Sequence, residues 1–210
     1  MDSNKEFVSL NNFNNDEVIN QMKQYALEFD VPIILDEGLA MLLYLIKERK
    51  VKKILEIGCA IGYSAINMAL VNTDILIDTI ERDEKMFEKA LNNIKEIGLN
   101  ERINAIFADA LEIDISLLRD DYDLIFIDAA KAQYIKFFEK FTPLLKKGGV
   151  VFSDNLLFHG LVYGDRTGLS KNLLSLVKKV EGYNNWLKCN NDYDTTFLPL
   201  GDGVAVSVKK

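Results

Sequence analysis

Apolar residues follow two alternating rhythms along this 210-residue chain. Short continuous apolar runs predict buried strands, and longer stretches with apolar positions three or four residues apart predict amphipathic helices. The predicted strands are 53–57, 75–80, 103–107, 123–127 and 149–153. The predicted helices between and after them are 63–71, 83–97, 110–118, 131–141 and 170–183. This alternation specifies a parallel sheet that is covered by helices on both faces.

Two further helices and a hairpin flank this alternating core. The apolar pattern predicts a helix over 14–29, which Pro32 breaks, and a second helix over 36–47. We expect these helices to cover a sheet edge or a ligand, or to form a dimer contact. Near the C-terminus, 196–200 and 204–208 are separated by Gly-Asp-Gly, which predicts a β-hairpin with antiparallel strands. The predicted fold is α/β and Rossmann-like: a mostly parallel seven-stranded sheet with a C-terminal hairpin and an N-terminal helical addition.

Composition is that of one globular domain over 1–210, with the added helices in 1–50 and the sheet core in 51–210. Hydrophobic residues make up 49% of the chain, which is enough for a sizeable core. No apolar run reaches membrane-spanning length and the N-terminus lacks signal-peptide order, so we expect no membrane partner. Cys59 and Cys189 are too few and too far apart for a disulfide framework, which favours a reducing, cytoplasmic location. The net charge of −7 argues against nonspecific coating of nucleic acid.

The first predicted strand runs into a glycine turn and then into a helix, which is the arrangement of a nucleotide site. Gly58 and Gly62 would let the backbone approach a ligand, and the helix start offers free N–H donors. A dinucleotide fingerprint has glycine where this chain has Ala60. Glu56 before the turn fits better with the loop of S-adenosylmethionine (SAM) methyltransferases. We therefore expect Glu56 and Gly58 to contribute to cofactor binding; the alternative is an ordinary strand-to-helix turn.

Two acidic residues at the next strand ends are candidates for nucleoside binding. Glu81 lies 81 − 58 = 23 positions after Gly58, near the roughly 20-residue spacing of a ribose-binding acid. Its alternative role is a helix N-terminal acid, but Asp83 already suits that position. Asp109 either caps the helix that follows it or accepts from an adenine amino group, and the sequence leaves both roles open.

The last two parallel strands end in oxygen-bearing side chains. Asp128 follows one strand, and Asp154 with Asn155 follows the next. If the strands are neighbours, their ends lie roughly 5 Å apart, so one cation could bridge them. Two carboxylates and an amide are hard oxygen donors that suit Mg²⁺ or Mn²⁺. The alternative is that these residues only cap turns.

Three stretches together resemble the metal-dependent O-methyltransferase family, which includes catechol and caffeoyl-CoA O-methyltransferases. They are LEIGCAIGYSA at 55–65, IDAAK at 127–131 and SDN at 153–155. Within this family the chain is most similar to the bacterial tRNA 5-hydroxyuridine methyltransferases. That second likeness rests on VPI at 31–33, IFIDAAK at 125–131, DNLLF at 154–158, GLV at 160–162 and PLGDG at 199–203.

The resemblance implies a cofactor site for SAM, position by position. The backbone around Ile34 and the hydroxyl of Ser64 would hold the methionine part of SAM. Glu81 would bind the ribose, and Asp109 with Ala110 would bind the adenine.

The resemblance also implies a metal site and a base beside the cofactor. Asp128, Asp154 and Asn155 would bind Mg²⁺ or Mn²⁺, with Asp128 also near the methionine end of SAM. Lys131 matches the family's candidate general base, so Lys131 and Asp128 are the predicted catalytic residues. The alternative for Lys131 is that it is an exposed residue at a helix start, where the helix dipole disfavours a cation.

The predicted reaction is methylation of 5-hydroxyuridine at the tRNA anticodon wobble position to 5-methoxyuridine. Basic residues in the stretch after the metal site and on and after the 131–141 helix would contact the phosphates of an anticodon loop, with Tyr163 or Phe158 for stacking. They are Arg166, Lys171, Lys178 and Lys179, and Lys136, Lys140, Lys146 and Lys147. A catechol or phenol O-methyltransferase on the same scaffold is the first alternative. A nicotinamide-dependent oxidoreductase is more distant, and a non-catalytic SAM-binding module is disfavoured by the intact metal and base positions. The family likeness also implies a homodimer through the N-terminal helices.

Overall fold

A computed structural model of the chain describes residues 3–8, 10–11 and 17–210. The strands are β1 (Lys53–Ile57), β2 (Leu76–Glu81), β3 (Ile103–Phe107), β4 (Tyr122–Ile127), β5 (Leu145–Ser153), β6 (Tyr193–Leu198) and β7 (Val204–Lys209). The α-helices are α1 (Ser3–Val8), α2 (Glu17–Glu28), α3 (Asp36–Glu48), α4 (Tyr63–Leu70), α5 (Glu84–Glu96), α6 (Tyr134–Phe141) and α7 (Lys171–Cys189). Among these described residues, no helix combines the length and the apolar character needed to cross a membrane.

The seven strands form one sheet in the order β3-β2-β1-β4-β5-β7-β6. Strands β1 to β5 pair in parallel, whereas β7 runs antiparallel to both β5 and β6. The predicted Rossmann-like fold, with its C-terminal hairpin, is therefore confirmed. The strand order reverses between β1 and β4, where Ile57 and Ile127 lie side by side. Ligands of open parallel sheets bind in the crevice beyond such a reversal point.

Two apolar cores cover the two faces of the sheet. On one face, α2, α3, α4 and α5 pack against alternate strand residues such as Ile54, Phe126 and Phe152. On the other face, α6, α7 and the 110–118 segment cover the intervening residues, among them Leu55 and Val151. Because both faces are buried, the central strands β4 and β5 contain continuous apolar runs, at 124–127 and 150–152.

Most predicted elements differ from the observed ones only at their ends. Strand β5 begins four residues earlier than predicted, α7 continues to Cys189, and the predicted 131–141 helix opens as a 3₁₀ turn at Lys131–Gln133 before α6. The predicted start of the first helix at position 14 lies outside the described residues, and α2 is helical from Glu17. Helix α1 was not predicted.

The predicted helix at 110–118 is wrong. This segment holds turns and a 3₁₀ helix at Ile115–Leu117. The Asp109 carboxylate accepts from the Leu111 N–H at 2.8 Å, and the Asp114 carboxylate accepts from the Ser116 N–H at 2.9 Å. Aspartates that bond the backbone two residues ahead stabilise turns at the expense of helix.

Candidate active site

The loop between β1 and α4 is built around left-handed backbone positions. Gly58 has φ +96° and Gly62 has φ +82°, conformations that glycine adopts without a Cβ penalty. Ala60, at the middle glycine position of a dinucleotide fingerprint, also has a positive φ of 44°. Its N–H donates to the Glu81 carboxylate at 2.8 Å, which links this loop to the end of β2. The loop is further held by Asn93 of α5, whose amide donates to the Ile61 carbonyl at 2.8 Å.

Glu56 lies beneath this loop and is fully buried. Its two carboxylate oxygens accept hydrogen bonds from the hydroxyls of Ser64 and Thr79. Burial raises the pKa of Glu56 to about 7, and the nearby charges of Asp128 and Glu81 act in the same direction, while the two hydroxyls oppose the shift. Glu56 thus holds the side chain of Ser64, in the first turn of α4, in a fixed position.

A cavity of about 450 Å³ opens above the carboxyl ends of β1, β2 and β4. The predicted cofactor residues that line it are Ile34, Gly58, Ser64, Glu81, Asp109, Ala110 and Asp128. Glu56 does not line it, so its predicted part in cofactor binding can only be indirect. Pro32 and Ile33, in the segment that joins α2 to α3, complete one wall. The N-terminal addition therefore covers the ligand crevice, one of the roles the sequence suggested, and the volume suits a small ligand.

Glu81 and Asp109 present carboxylates to this cavity in different ways. Glu81 accepts from the N–H groups of Arg82 and Asp83, both at 2.8 Å, in addition to Ala60. Asp83, not Glu81, caps α5 by accepting from the Met86 N–H at 3.0 Å. Asp109 caps the turn that follows it, and its second oxygen lies 3.4 Å from Arg82 Nη1. Both acids therefore keep the cavity edge acidic.

Asp128 and Asp154 lie at neighbouring strand ends, as the sequence predicted. Strands β4 and β5 are adjacent, with Ile127 opposite Ser153, and the Asp154 N–H donates to the Ile127 carbonyl at 3.2 Å. Burial raises the pKa of Asp154 to about 7, and the Asp128 charge adds to this effect. Burial also raises the pKa of Asp128. Because the Asp128 charge raises the pKa of the buried Asp154 carboxyl, the pair makes a site that favours a cation.

Asp154 has one oxygen that is satisfied and one that is not. Oδ1 accepts from the Asn155 N–H at 2.7 Å, whereas buried Oδ2 accepts no hydrogen bond from any residue the structure describes. Asn155 follows with φ +61°, a left-handed conformation that asparagine tolerates. The described residues contain no group of three or more His, Cys, Asp or Glu side chains arranged for a metal. The predicted set has two carboxylates and one amide, and its orphaned buried oxygen fits a hard divalent cation.

Lys131 lies between the cofactor cavity and the segment that follows Asn155 at the end of β5. It lines the cavity together with Asp128, and its charge lowers the pKa of both Asp128 and Asp154. Its Nζ lies 6.0 Å from the centre of the Phe158 ring, within cation–π range. Lys131 is thus the cationic side chain that the structure places at the predicted base position.

Sequence reasoning assigned no role to Asp202, a third carboxylate near this pair. It lies in the turn between β6 and β7, it is buried, and its charge raises the pKa of both Asp128 and Asp154. The available signal was the Gly-Asp-Gly turn of the predicted hairpin. Only the pairing of β7 beside β5 shows that this turn reaches the ends of β4 and β5.

Comparison with known proteins gives the family. A family model described as O-methyltransferase matches residues 9–210. A caffeoyl-CoA O-methyltransferase from Stellaria longipes is 32% identical over 173 residues, which cover 78% of this chain and 70% of that protein.

Two solved structures extend this likeness to the fold. A Staphylococcus aureus protein provisionally assigned as a caffeoyl-CoA O-methyltransferase is 41% identical, with a TM-score of 0.93 over 99% of both chains. The O-methyltransferase TomG from Streptomyces achromogenes, solved in complex with SAM, is 26% identical with a TM-score of 0.83. That match covers 98% of this chain and 94% of TomG.

Proposed function

Because the chain belongs to the O-methyltransferase family, we propose that it transfers a methyl group from SAM to a hydroxyl that has a second oxygen beside it, with the help of a divalent cation. Family membership sets aside the nicotinamide-dependent alternative. The observation that carries the proposal is the Asp128–Asp154 pair at the edge of the cofactor cavity, in which Asp154 is buried and its Oδ2 has no hydrogen-bond partner among the residues the structure describes.

The cavity supports SAM as the cofactor. Glu81 would accept from the ribose hydroxyls, and the Asp109–Ala110 corner would lie against the adenine. Ile34 and Ser64 would hold the methionine end, where Asp128 also lines the wall. Methyl transfer forms an O–CH₃ bond, breaks the S–CH₃ bond of the sulfonium, and leaves neutral S-adenosylhomocysteine (SAH).

The acceptor would meet the cofactor beside Asp128. Asp128, Asp154 and Asn155 would hold Mg²⁺ or Mn²⁺ there, and the cation would supply the charge that orients two adjacent acceptor oxygens and acidifies the hydroxyl. The chain's own part is to bury Asp154 and to leave its Oδ2 without a hydrogen bond from any described residue. A neutral Lys131 would receive the hydroxyl proton, whereas a protonated Lys131 would offset the negative charge left on the oxygen.

Among acceptors with two adjacent oxygens, we put 5-hydroxyuridine of the tRNA wobble position first, because the motif resemblance points to it. Its 5-OH and O4 form the required pair. Of the two predicted stacking residues, Tyr163 is 70% exposed, which suits contact with a splayed base, whereas Phe158 is buried and is not free to stack. His159, in the same segment after Asn155, is 77% exposed. Several exposed lysines that form no ion pair in the described structure are available for phosphates, among them Lys136, Lys171, Lys178 and Lys179.

A small catechol-type acceptor is the second candidate, and it is favoured by how other basic residues are used. Lys140 donates to the Leu111 carbonyl at 2.6 Å, Lys146 pairs with Asp123, and Arg166 pairs with Glu181 at 3.0 Å. These cations are already satisfied within the protein. The caffeoyl-CoA O-methyltransferases among the relatives are named for a small acceptor of this kind.

The deciding experiment offers two acceptors in parallel with methyl-labelled SAM and Mg²⁺. One is tRNA from cells that make 5-hydroxyuridine but lack its methylation, and the other is caffeoyl-CoA. Label on tRNA alone establishes the first candidate, and label on caffeoyl-CoA alone establishes the second. Label on neither, from a protein that binds SAH, contradicts both acceptors. Asp154→Ala should lose the label on whichever acceptor the wild-type protein methylates. Asp194→Ala, a change at an exposed aspartate, is the control and should keep it.

A further inference from the structure

Asp202 is tied to the segment that follows the predicted metal ligands. Its side chain is only 8% exposed, and its Oδ1 accepts from the backbone N–H of His159 at 2.6 Å. The second oxygen, Oδ2, lies 3.9 Å from His159 Nδ1 and accepts no hydrogen bond within the part of the chain that the structure describes. A buried carboxylate that receives a backbone N–H makes a strong, charge-assisted hydrogen bond.

Backbone hydrogen bonds join the same two segments. The Leu156 N–H donates to the Gly203 carbonyl at 2.9 Å, and the Leu157 N–H donates to the Asp202 carbonyl at 2.8 Å. A β-carbon at Gly203 would lie 2.5 Å from Leu157 Cγ, so this close approach requires glycine. The β6–β7 turn and the 156–159 segment therefore form one unit.

The end of this unit adopts an unfavourable backbone conformation. Phe158 has φ +49° and His159 has φ +56°, which lie in the left-handed region that is unfavourable for non-glycine residues. Such a conformation persists only where surrounding contacts hold it. The hydrogen bond from the His159 N–H to Asp202 is a contact of that kind, and it fixes the peptide directly after Phe158.

The conformation places the Phe158 ring under Lys131. The ring is buried, with its centre 6.0 Å from Lys131 Nζ and 5.4 Å from the centre of the His159 ring. A contact chain thus runs from Asp202 through the His159 peptide and the Phe158 ring to the ammonium of Lys131.

We propose that Asp202 is a positioning residue for Lys131: by holding the His159 N–H it fixes the Phe158 ring against which the lysine stands. This inference rests on the proposed function, in which Lys131 handles the acceptor's proton or charge. It assigns the third buried carboxylate to the geometry of the base rather than to cofactor binding, since Asp202 does not line the cofactor cavity.

Two variants separate the hydrogen bond of Asp202 from its charge. Asp202→Asn keeps a side-chain oxygen that can accept from the His159 N–H, whereas Asp202→Ala removes it. With the acceptor that wild-type enzyme methylates, Asp202→Ala should lower kcat by about 10- to 100-fold, as expected for losing a hydrogen bond to a charged group. Asp202→Asn should recover most of that loss, and SAH affinity should stay within about twofold in both variants because neither change touches the cavity. If Asp202→Asn is as slow as Asp202→Ala, the charge matters rather than the tether, and the proposal is wrong.

Amide hydrogen exchange tests the tether without any catalysis. In the wild-type protein the His159 amide should exchange more slowly than the neighbouring Gly160 amide, which donates no hydrogen bond in the described structure. Protection should persist in Asp202→Asn and disappear in Asp202→Ala. Equal exchange of His159 and Gly160 in the wild-type protein overturns the proposal, even if Asp202→Ala fails to fold. Because this readout needs neither metal nor acceptor, it separates failure of the tether from failure of the proposed function.

Discussion

The carbonyl oxygen of Asp128 lies where a β-carbon on Gly58 would be. A Cβ built on Gly58 comes within 2.1 Å of that oxygen, and Gly58 also has φ +96°. The end of β1 and the end of β4 therefore approach each other more closely than any side chain allows. Since Gly58 opens the cofactor loop and Asp128 opens the predicted metal site, this contact sets the spacing between the two halves of the active site.

Gly58→Ala should destabilise the protein severely and abolish SAH binding. The added methyl meets backbone, which has no flexible end to move aside, so we expect a loss of more than about 3 kcal/mol in the free energy of unfolding. Gly98→Ala is the matched control, because Gly98 has φ +74° but open space around its Cβ. It should lose only about 1 kcal/mol from backbone strain. Urea unfolding measures both; similar losses in the two variants would show that the contact with Asp128 is unimportant.

Glu56 should make stability fall as the pH rises. Its folded-state pKa, about 7, lies above the unfolded value, so the native state holds a proton between roughly pH 4.5 and 7 that the unfolded state has released. The stabilisation is full below that window and lost above it. Glu56→Gln removes this titration. Urea unfolding at pH 5 and at pH 8 gives the unfolding free energy of each protein at both pH values. The difference between the two pH values should be smaller in the variant than in the wild-type protein, by on the order of 3 kcal/mol. The prediction is wrong if both proteins show the same pH dependence.

Asp154→Asn should stabilise the cation-free protein and remove its response to cations. The change relieves repulsion between two buried carboxylates, so we expect Tm without cation to rise by roughly a few degrees. In the wild-type protein, Mn²⁺ at 100 times its Kd should stabilise the fold by about 2.7 kcal/mol, and the variant should show almost none of this.

The control for this experiment is Asp194→Asn, since Asp194 is exposed and its ion-pair partner within the described part of the chain is Lys210. It should keep the wild-type response to Mn²⁺. An undiminished Mn²⁺ response in Asp154→Asn would mean that the cation binds elsewhere.

Lys131→Arg distinguishes the two roles given to Lys131. Arginine keeps the positive charge but does not give up its proton in proteins, so it cannot act as a base. If Lys131 accepts the hydroxyl proton, Lys131→Arg should lose about 10²-fold or more in kcat, close to the loss in Lys131→Met. If Lys131 acts by charge alone, the arginine variant should keep most of the activity that the methionine variant loses. Steady-state rates at saturating SAM give the answer, and two variants as active as wild type would remove Lys131 from the mechanism.

The sheet could be predicted from sequence because its strands are buried on both faces. Runs such as 124–127 are continuously apolar, and a helix with its own apolar periodicity follows each parallel strand except β3. Turn chemistry caused the one wrong helix: Asp109 and Asp114 fold the backbone into turns at 110–118 although the apolar spacing there fits a helix.

The sequence could predict the site residues that directly follow a parallel strand. Asp128 and Asp154 follow apolar runs, and parallel pairing brings such ends together. Glu56 lies two residues before Gly58, and its side chain points into the interior, where it accepts from Ser64, a residue that lines the cavity. Asp202 was missed because its nearness depends on where the hairpin adds to the sheet. The homodimer and the cytoplasmic location stay predictions.

The proposed reaction requires two adjacent acceptor oxygens and a divalent cation. The most direct test compares methyl transfer to a catechol with transfer to its monohydroxy analogue, each with Mg²⁺ and with EDTA. The enzyme is incubated with labelled SAM and either caffeoyl-CoA or p-coumaroyl-CoA, and the same comparison is made with tRNA that carries 5-hydroxyuridine or unmodified uridine. We predict that label enters only an acceptor with two adjacent oxygens and only when Mg²⁺ is present. The Asp154→Ala variant should transfer no label. Transfer to an acceptor with a single oxygen, or full transfer in EDTA, would contradict it.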